Sequence, residues 1–580
     1  MSSINRTRLL FILIVIVALV IVAISLPNQN SEEGGTNAPT PVTVPSGSVE
    51  LAIASSSTKQ AWMEEIVEQF NADGVTINNG ETIFAHVTPV LSGGSKNDIL
   101  ADRITPVVWS PGSGSWVAQL NDEWRVRHNQ NISSESCEST IYTPLGLAMW
   151  RPMAETLGWP DTPISWETLV TLAGDPDGWG SYGRPEWGRF LFGQAHPGYS
   201  NAGLLTTTSF IYDITGKTGD LAAGEVYDAD VTEALTTLAQ NTSKYGRVTT
   251  NLLDQMVQQG PSYLHAVATF ESDTVRFNIE YEDQLQFPLA FIFPAGGTFW
   301  GNHPYCTLDN AEWVTDEQAE AAEIFRQYML EREQQTLAVK HLLRPLDSNI
   351  PLASPLDLEH GTDPRVNVET VPALPSPDAQ LGAAIIDQFL QTKRKATVTI
   401  VLDISGSMEG DKIRTAVAST VEFLERLAPD DEISALVFND ELYKLEDPSP
   451  VRDVVESLSD RVSSLTAGGG TALYDSICRS VEQVEGLRMD DQRADENRLY
   501  GIVLLSDGQD TGSTVSETQM FTQCLPTQAE ADGIKIYPIA FGEDADTDVL
   551  QRVAKVTGGR LFQADPDSIS RVYVSISAEQ

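Results

Sequence analysis

The sequence predicts an α/β protein with two successive globular units behind an apolar N-terminus. Short aliphatic runs alternate with amphipathic stretches along most of the chain, the pattern of strands joined by helices. Several runs, such as Val398–Leu402 and Leu499–Leu505, carry no charge, as in strands covered on both faces. Strand after strand also ends in a loop of Gly, Ser, Thr or Asp that opens a helix. Such loops gather polar groups at the carboxyl edge of a sheet, where open α/β sheets hold their ligands.

The chain has 580 residues, enough for two to four domains each with its own core. Acidic residues outnumber basic ones 81 to 37, for a net charge of −44. That balance argues against nucleic acid and against docking on an anionic membrane surface. With 41% hydrophobic residues the acidity belongs to the surface of a folded protein, not to a disordered chain.

Residues 1–26 read as a membrane anchor. Leu9 to Leu26 carries no charge and only Ser25 as a polar residue, a length that suits the hydrocarbon core of a bilayer. Arg6 and Arg8 before it and Glu32 and Glu33 after it predict a single-pass transmembrane helix with the body outside the cytoplasm. A signal peptide cleaved near Ala23 and Ser25, giving a secreted protein, is the alternative. No cysteine follows the run, which argues against a lipoprotein anchor. Residues 27–48 are rich in Asn, Ser, Gly, Thr and Pro and read as a flexible linker.

Residues 49–372 form the first unit. Val49–Ala54 reads as a strand, Ser55–Thr58 as its polar loop, and Trp62, Ile66, Val67 and Phe70 as the buried face of the helix that follows. The pattern recurs at Phe84–Val90 with Ser92–Ser95, and at Pro106–Trp109 with Ser110–Ser115. Loops of this kind offer hydroxyls and free N–H groups, although ordinary helix capping accounts equally well for any single one. Trp109, Trp116, Tyr199 and Trp300 recur near them without a cluster of Arg and Lys, which disfavours a phosphate or a multiply charged oxyanion as ligand. Trp150, Trp159, Trp166, Trp179 and Trp187 read as packing residues.

The stretches Val108–Pro111, Thr143–Pro152, Leu157–Pro160, His196–Leu204 and Phe293–Thr298 give this unit a resemblance to the bacterial extracellular solute-binding proteins of the periplasmic type 2 class. The resemblance implies two α/β lobes around a cleft, with crossing strands near Thr143–Met149 and Ala266–Phe270. By position it makes Ser56, Ser57, Ser110, Ser200 and Asn201 candidate cleft residues for a small-molecule solute.

Residues 373–395 are a junction, Pro-rich at first and then helical through Ile385, Ile386, Phe389 and Leu390. Residues 396–580 form the second unit, a doubly wound sheet. Its strands are expected at Val398–Asp403, Asp431–Phe438, Leu442–Leu445, Leu499–Leu505, Ile534–Phe541 and Arg560–Gln563, with helices between them.

The chemistry of the second unit gathers in three loops. Asp403, Ser405 and Ser407 follow the first strand; taken alone they are as consistent with a capping turn as with a metal site. Thr471 follows three glycines at a helix start, and Asp507 ends another buried strand. Five oxygen-bearing side chains thus converge at one sheet edge, a hard donor set suited to Mg²⁺ or Mn²⁺. The D-x-S-x-S element, the Gly-Gly-Gly-Thr loop and the Ser-Asp-Gly strand end resemble the von Willebrand factor type A (VWA) domain, a Rossmann-like fold with a metal-ion-dependent adhesion site (MIDAS). The resemblance implies that Asp403, Ser405, Ser407, Thr471 and Asp507 surround a Mg²⁺, which can accept an Asp or Glu carboxylate from a protein partner.

The four cysteines fall two in each unit, and export permits disulfides, so Cys137–Cys306 and Cys478–Cys524 are expected to pair; four buried free thiols are the alternative. The seven histidines are scattered singly, and G-x-S-x-G, Walker and zincin motifs are absent from the sequence. His196 and His303 lie beside candidate loops, where a structural role is expected. The sequence therefore points to a tethered binding protein, alternatively to the receptor of a transport or sensing system with a separate membrane partner, and away from an enzyme.

Overall fold

A computed structural model describes residues 43–134, 136–494, 496–526, 533–542 and 544–577. Among these residues no helix is long and apolar enough to cross a membrane. The expected anchor, Leu9 to Leu26, and most of the linker lie outside the described residues.

Three sheets organise the chain. The first has five strands in the order Thr82–Val90, Ser48–Ser56, Val108–Ser110, Pro304–Thr307 and Glu138–Ser139. Helix Gln60–Asp73 buries Trp62, Met63, Ile66, Val67 and Phe70 against this sheet, and Gly74 ends the helix in the left-handed region. The second sheet has seven strands around Ile141–Trp150, which pairs with Ala266–Phe270, Leu289–Ile292, Trp300–Gly301 and Arg344–Pro345. Phe192–Ala195 and Thr242–Gly246 extend it to an edge. Each sheet and its helices make one lobe.

The chain crosses between lobes at residues 139–141, at 301–304 and again on entering Arg344–Pro345, not along the two strands that the resemblance suggested. Those strands pair with each other inside the second lobe, Leu145 opposite Phe270 through Met149 opposite Ala266. They are buried on both faces, which makes them interior strands and not exposed connectors. The Cys137–Cys306 disulfide fastens the first two crossing segments on their first-lobe side. Trp150, Trp166 and Trp179 are buried in the second lobe, with Trp159 and Trp187 packed at its margin.

The third sheet has six strands: Leu442–Pro450, Glu432–Phe438, Ala396–Asp403, Leu499–Ser506, Lys535–Phe541 and Phe562–Ala564. All neighbours run parallel except the first pair. Side-chain alternation along Ala396–Asp403 sends Val398, Ile400 and Leu402 to one face and Val401 to the other. Helices Asp411–Arg426, Val451–Ser463 and Ile569–Ser577 cover the first face, and helices Leu473–Arg493 and Thr547–Thr557 the second. The antiparallel edge strand runs to Pro450, well past the short segment expected. It carries Lys444, Glu446 and Asp447 and two prolines, which blunt a free edge. Cys478 and Cys524 are disulfide-bonded across the second face.

Helix Ala379–Thr392 joins the second lobe to the third sheet. Asp378 caps it by accepting from the Leu381 N–H at 2.8 Å. Its Leu381, Ala384 and Ile385 belong to the lobe core, whereas Phe389 packs with Tyr245 in the core of the C-terminal unit. Lys244 and Tyr263 of the lobe both donate to the Gly558 carbonyl, at 3.0 and 2.8 Å. Asn497 donates to Gln240 at 2.8 Å. The lobe therefore packs against the amino-terminal ends of the third sheet's strands.

Candidate metal site and interlobe cleft

At the opposite, carboxyl end of the third sheet, Asp403 and Asp507 close two strands separated by one register step and are both fully buried. The Asp403 carboxylate accepts from the Ser405 N–H at 2.8 Å and from the Ser506 hydroxyl at 2.7 Å. Burial, the largest cause, pushes its carboxyl above the usual range, and the nearby Asp507 adds to the rise. Ser405 Oγ lies 3.0 Å from Ser407 Oγ, which donates to Asp507 Oδ1 at 2.6 Å. Lys412, in the first turn of helix Asp411–Arg426, donates to Asp507 Oδ2 at 2.6 Å.

The glycine loop brings in the third component. Gly406 N donates to Gly469 O at 2.9 Å and Gly468 N to Ile404 O at 2.8 Å, so two loops are laced together through their backbones. Gly469 has φ +93°, and a Cβ there would stand 2.5 Å from Asp440 Oδ2. Only glycine suits that position. Thr471 follows, 5% exposed, with its N–H on Thr511 Oγ1 at 3.0 Å. A Cβ placed on Gly508 would lie 3.6 Å from Ser407 Oγ and 3.9 Å from Thr471 Oγ1, so both hydroxyls face one small region.

The structure thus gathers all five expected oxygen ligands. Among the described residues no three His, Cys, Asp or Glu side chains assemble into a metal cluster; the donor set is two carboxylates and three hydroxyls. An all-oxygen set with low negative charge fits Mg²⁺, which keeps waters where the protein supplies few ligands. Ser407 is exposed, which leaves the site open to solvent on that side. Sequence reasoning missed Ser506, Thr511, Asp440 and Lys412. Of these, Lys412 had a legible signal, a cation five residues beyond Ser407 at the start of the helix that follows the D-x-S-x-S element.

Residues 397–571 match the model of the von Willebrand factor type A domain. The C-terminal unit is a VWA domain. Over 498 residues the chain is 22% identical to an uncharacterized protein of Mycobacterium tuberculosis (strain H37Rv), covering 81% of this chain and 68% of that one. It is 29% identical over 184 residues to human inter-alpha-trypsin inhibitor heavy chain H4, covering 30% of this chain and 19% of that one. Among solved structures, a von Willebrand factor type A protein from Catenulispora acidiphila is 16% identical and covers 32% of this chain and 42% of that one, with a TM-score of 0.27. A periplasmic thiamin binding protein is 13% identical and covers 60% and 96%, with a TM-score of 0.38.

Away from the VWA domain, a cavity of about 520 Å³ lies between the two lobes. Its lining includes Ser113, Ser115, Trp116, Asn201, Trp300 and Asn302, with no carboxylate, Lys or Arg side chain. Of the expected cleft residues, only Asn201 lines it. Ser56 is 6% exposed and accepts from the Thr58 N–H at 3.4 Å, holding the adjacent loop. Ser57 is exposed beside it. Ser110 is fully buried and donates to Pro304 O at 2.7 Å, and Ser200 caps helix Asn201–Thr215. Serines at strand ends therefore serve the backbone here, and the cavity wall comes from the residues after them.

Trp109 is fully buried, its indole donating to Ser95 Oγ at 3.0 Å. Tyr199 lines a different cavity, of about 550 Å³, between the second lobe and the VWA domain. Beneath the cleft, Lys59 donates to Ser110 O at 2.8 Å and stands 3.3 Å from His303 Nδ1. Burial brings the Lys59 amine down to about 7 and holds His303 well below its usual value.

Proposed function

We propose that this protein is an extracytoplasmic binding protein, tethered by its N-terminal apolar segment, whose VWA domain grips a protein partner through a Mg²⁺ at a MIDAS. The observation that carries the reading is the convergence of Asp403, Ser405, Ser407, Thr471 and Asp507 at one open sheet edge. A bound Mg²⁺ supplies an electrophilic centre able to accept a carboxylate from outside. The chain's part is to hold the five oxygens in register, exclude other donors and leave the Ser407 side accessible. Two disulfides suit an oxidising compartment outside the cytoplasm. The proposed role is binding, not catalysis: the site residues supply no histidine or unpaired general base.

The test is calorimetric titration of Mg²⁺ into the full chain and into Asp403→Ala, followed by partner capture with Mg²⁺ and with excess chelator. Uptake by the wild type alone, with capture abolished by chelator, supports the reading. Capture that persists unchanged in chelator sinks it.

The interlobe cavity favours a second reading, in which the first unit is a solute receptor of a transport or sensing system and the VWA domain docks a separate membrane partner. Its uncharged lining suits a neutral polar solute. Thermal-shift screening of the protein against neutral and anionic solutes separates the two: saturable stabilisation supports the receptor, and uniform silence favours adhesion.

A further inference from the structure

We propose that Lys412 is the second anchor for the incoming carboxylate, and that it weakens cation binding in return. The inference rests on the metal-site reading above. It starts from the unequal treatment of the two Asp507 oxygens. Oδ1 faces the hydroxyl cluster, accepting from Ser407 Oγ at 2.6 Å, and Ser407 lies 3.0 Å from Ser405 Oγ. Oδ2 is held by the Lys412 ammonium at 2.6 Å. The carboxylate is fully buried, whereas the lysine side chain is 29% exposed. One end of this ion pair is thus inside the site and the other reaches solvent.

The lysine is fixed in that place. Its stem passes Gly542, where an added Cβ would come within 3.5 Å of both Cε and Nζ, and Gly542 has φ +91°. An ammonium has three donors, and among the described residues Asp507 takes up one of them. A carboxylate arriving from the Ser407 side meets a cation donor beside the oxygen cluster. A monodentate carboxylate has a second oxygen to satisfy, and charge-assisted N–H···O bonds are the strong ones.

The same charge acts against the cation. Ion-pairing to Lys412 withdraws negative charge from Asp507, and the ammonium repels a dication. The arrangement exchanges cation affinity for selectivity towards an anionic partner. A site kept electrophilic in this way prefers an Asp or Glu side chain to a neutral donor.

The experiment uses the full chain as wild type, Lys412→Met and Lys412→Arg. Mg²⁺ affinity is read by calorimetry. Acetate affinity is read on the Mn²⁺-loaded protein as loss of water-proton relaxation when acetate replaces water. Lys412→Met keeps the stem and is expected to bind Mg²⁺ about tenfold more tightly and acetate about tenfold more weakly. Lys412→Arg is expected to keep acetate affinity near wild type. Opposite movement of the two affinities is the signature that a purely structural lysine would not give. If both affinities fall together, or neither moves, the inference is overturned. If the wild type takes up neither Mg²⁺ nor Mn²⁺, the metal-site reading itself fails.

Discussion

Replacing Arg344 by methionine probes the most heavily buried ion pair in the protein's first unit. Arg344 donates from Nε to Glu271 Oε2 at 2.7 Å and from Nη2 to Glu271 Oε1 at 2.6 Å, and the two side chains are 4% and 1% exposed. Nη2 also donates to Asp363 O at 3.0 Å, and the guanidinium sits 5.0 and 5.9 Å from the Phe293 and Trp300 rings. Methionine fills the volume of the stem but strands a buried carboxylate, which costs about 3–5 kcal/mol. At about 2 °C per kcal/mol for a large domain, the transition of this unit should fall by roughly 6–10 °C. Adding Glu271→Gln removes the orphaned charge, and the double variant should recover about 1–2 kcal/mol relative to the additive expectation. Scanning calorimetry of the wild type, both single variants and the double variant gives the cycle. A loss below about 1 kcal/mol in Arg344→Met, or strict additivity, would refute the view that the pair is a coupled buried unit.

Two further outcomes follow from the geometry. His196 and His265 are both lowered to about 3, chiefly by burial, so between that value and their unfolded value of 6.5 the unfolded chain binds more protons. Stability contributed by the neutral rings is present above pH 6.5 and is lost as pH falls, by about 2 kcal/mol per histidine at pH 5. Histidine NMR should show both rings neutral at pH 5 in the folded protein, and protonated rings there would contradict it. Gly469→Ala places a methyl 2.5 Å from Asp440 Oδ2 at a positive φ. It should weaken Mg²⁺ binding about tenfold or more while costing only about 1–3 kcal/mol in the melting of the domain, read by calorimetry of each.

The loops of the candidate metal site were legible because each of the five residues sits in a short motif whose backbone shape follows from its own residues. Asp403, Ser405 and Ser407 share one turn, three glycines announce a close approach before Thr471, and an apolar run ends at Asp507. The cleft was not legible in the same way. Its wall includes Asn302, in the crossing at 301–304, and Trp116, in the first turn of a helix, and their meeting depends on long-range register. Ser110 looked like a ligand because a serine at a strand end is free to bind one. Here the neighbouring strand supplies the Pro304 carbonyl and takes up that hydroxyl. The crossing strands that the resemblance implied were misplaced for a related reason: the sequence of a connector and that of an interior strand are both continuous apolar runs, and only pairing partners distinguish them.

The strand Ala396–Asp403 follows the helix shared with the second lobe at one end and carries the Asp403 carboxylate of the candidate metal site at the other. Its eight residues, at about 3.3 Å each, separate these ends by roughly 26 Å. Under the proposed function, tension between a partner held at Asp403 and the second lobe would run lengthwise along this strand. Strands Glu432–Phe438 and Leu499–Ser506 flank it on both sides in parallel register, so such a pull loads both hydrogen-bond ladders in shear, all together, instead of peeling them one bond at a time. At the base, Lys393 is clamped to Asp431 at 3.3 Å and Arg394 to Asn497 at 2.6 Å. Under the proposed function, the grip and the contact with the second lobe are thus in line, with two parallel ladders between them.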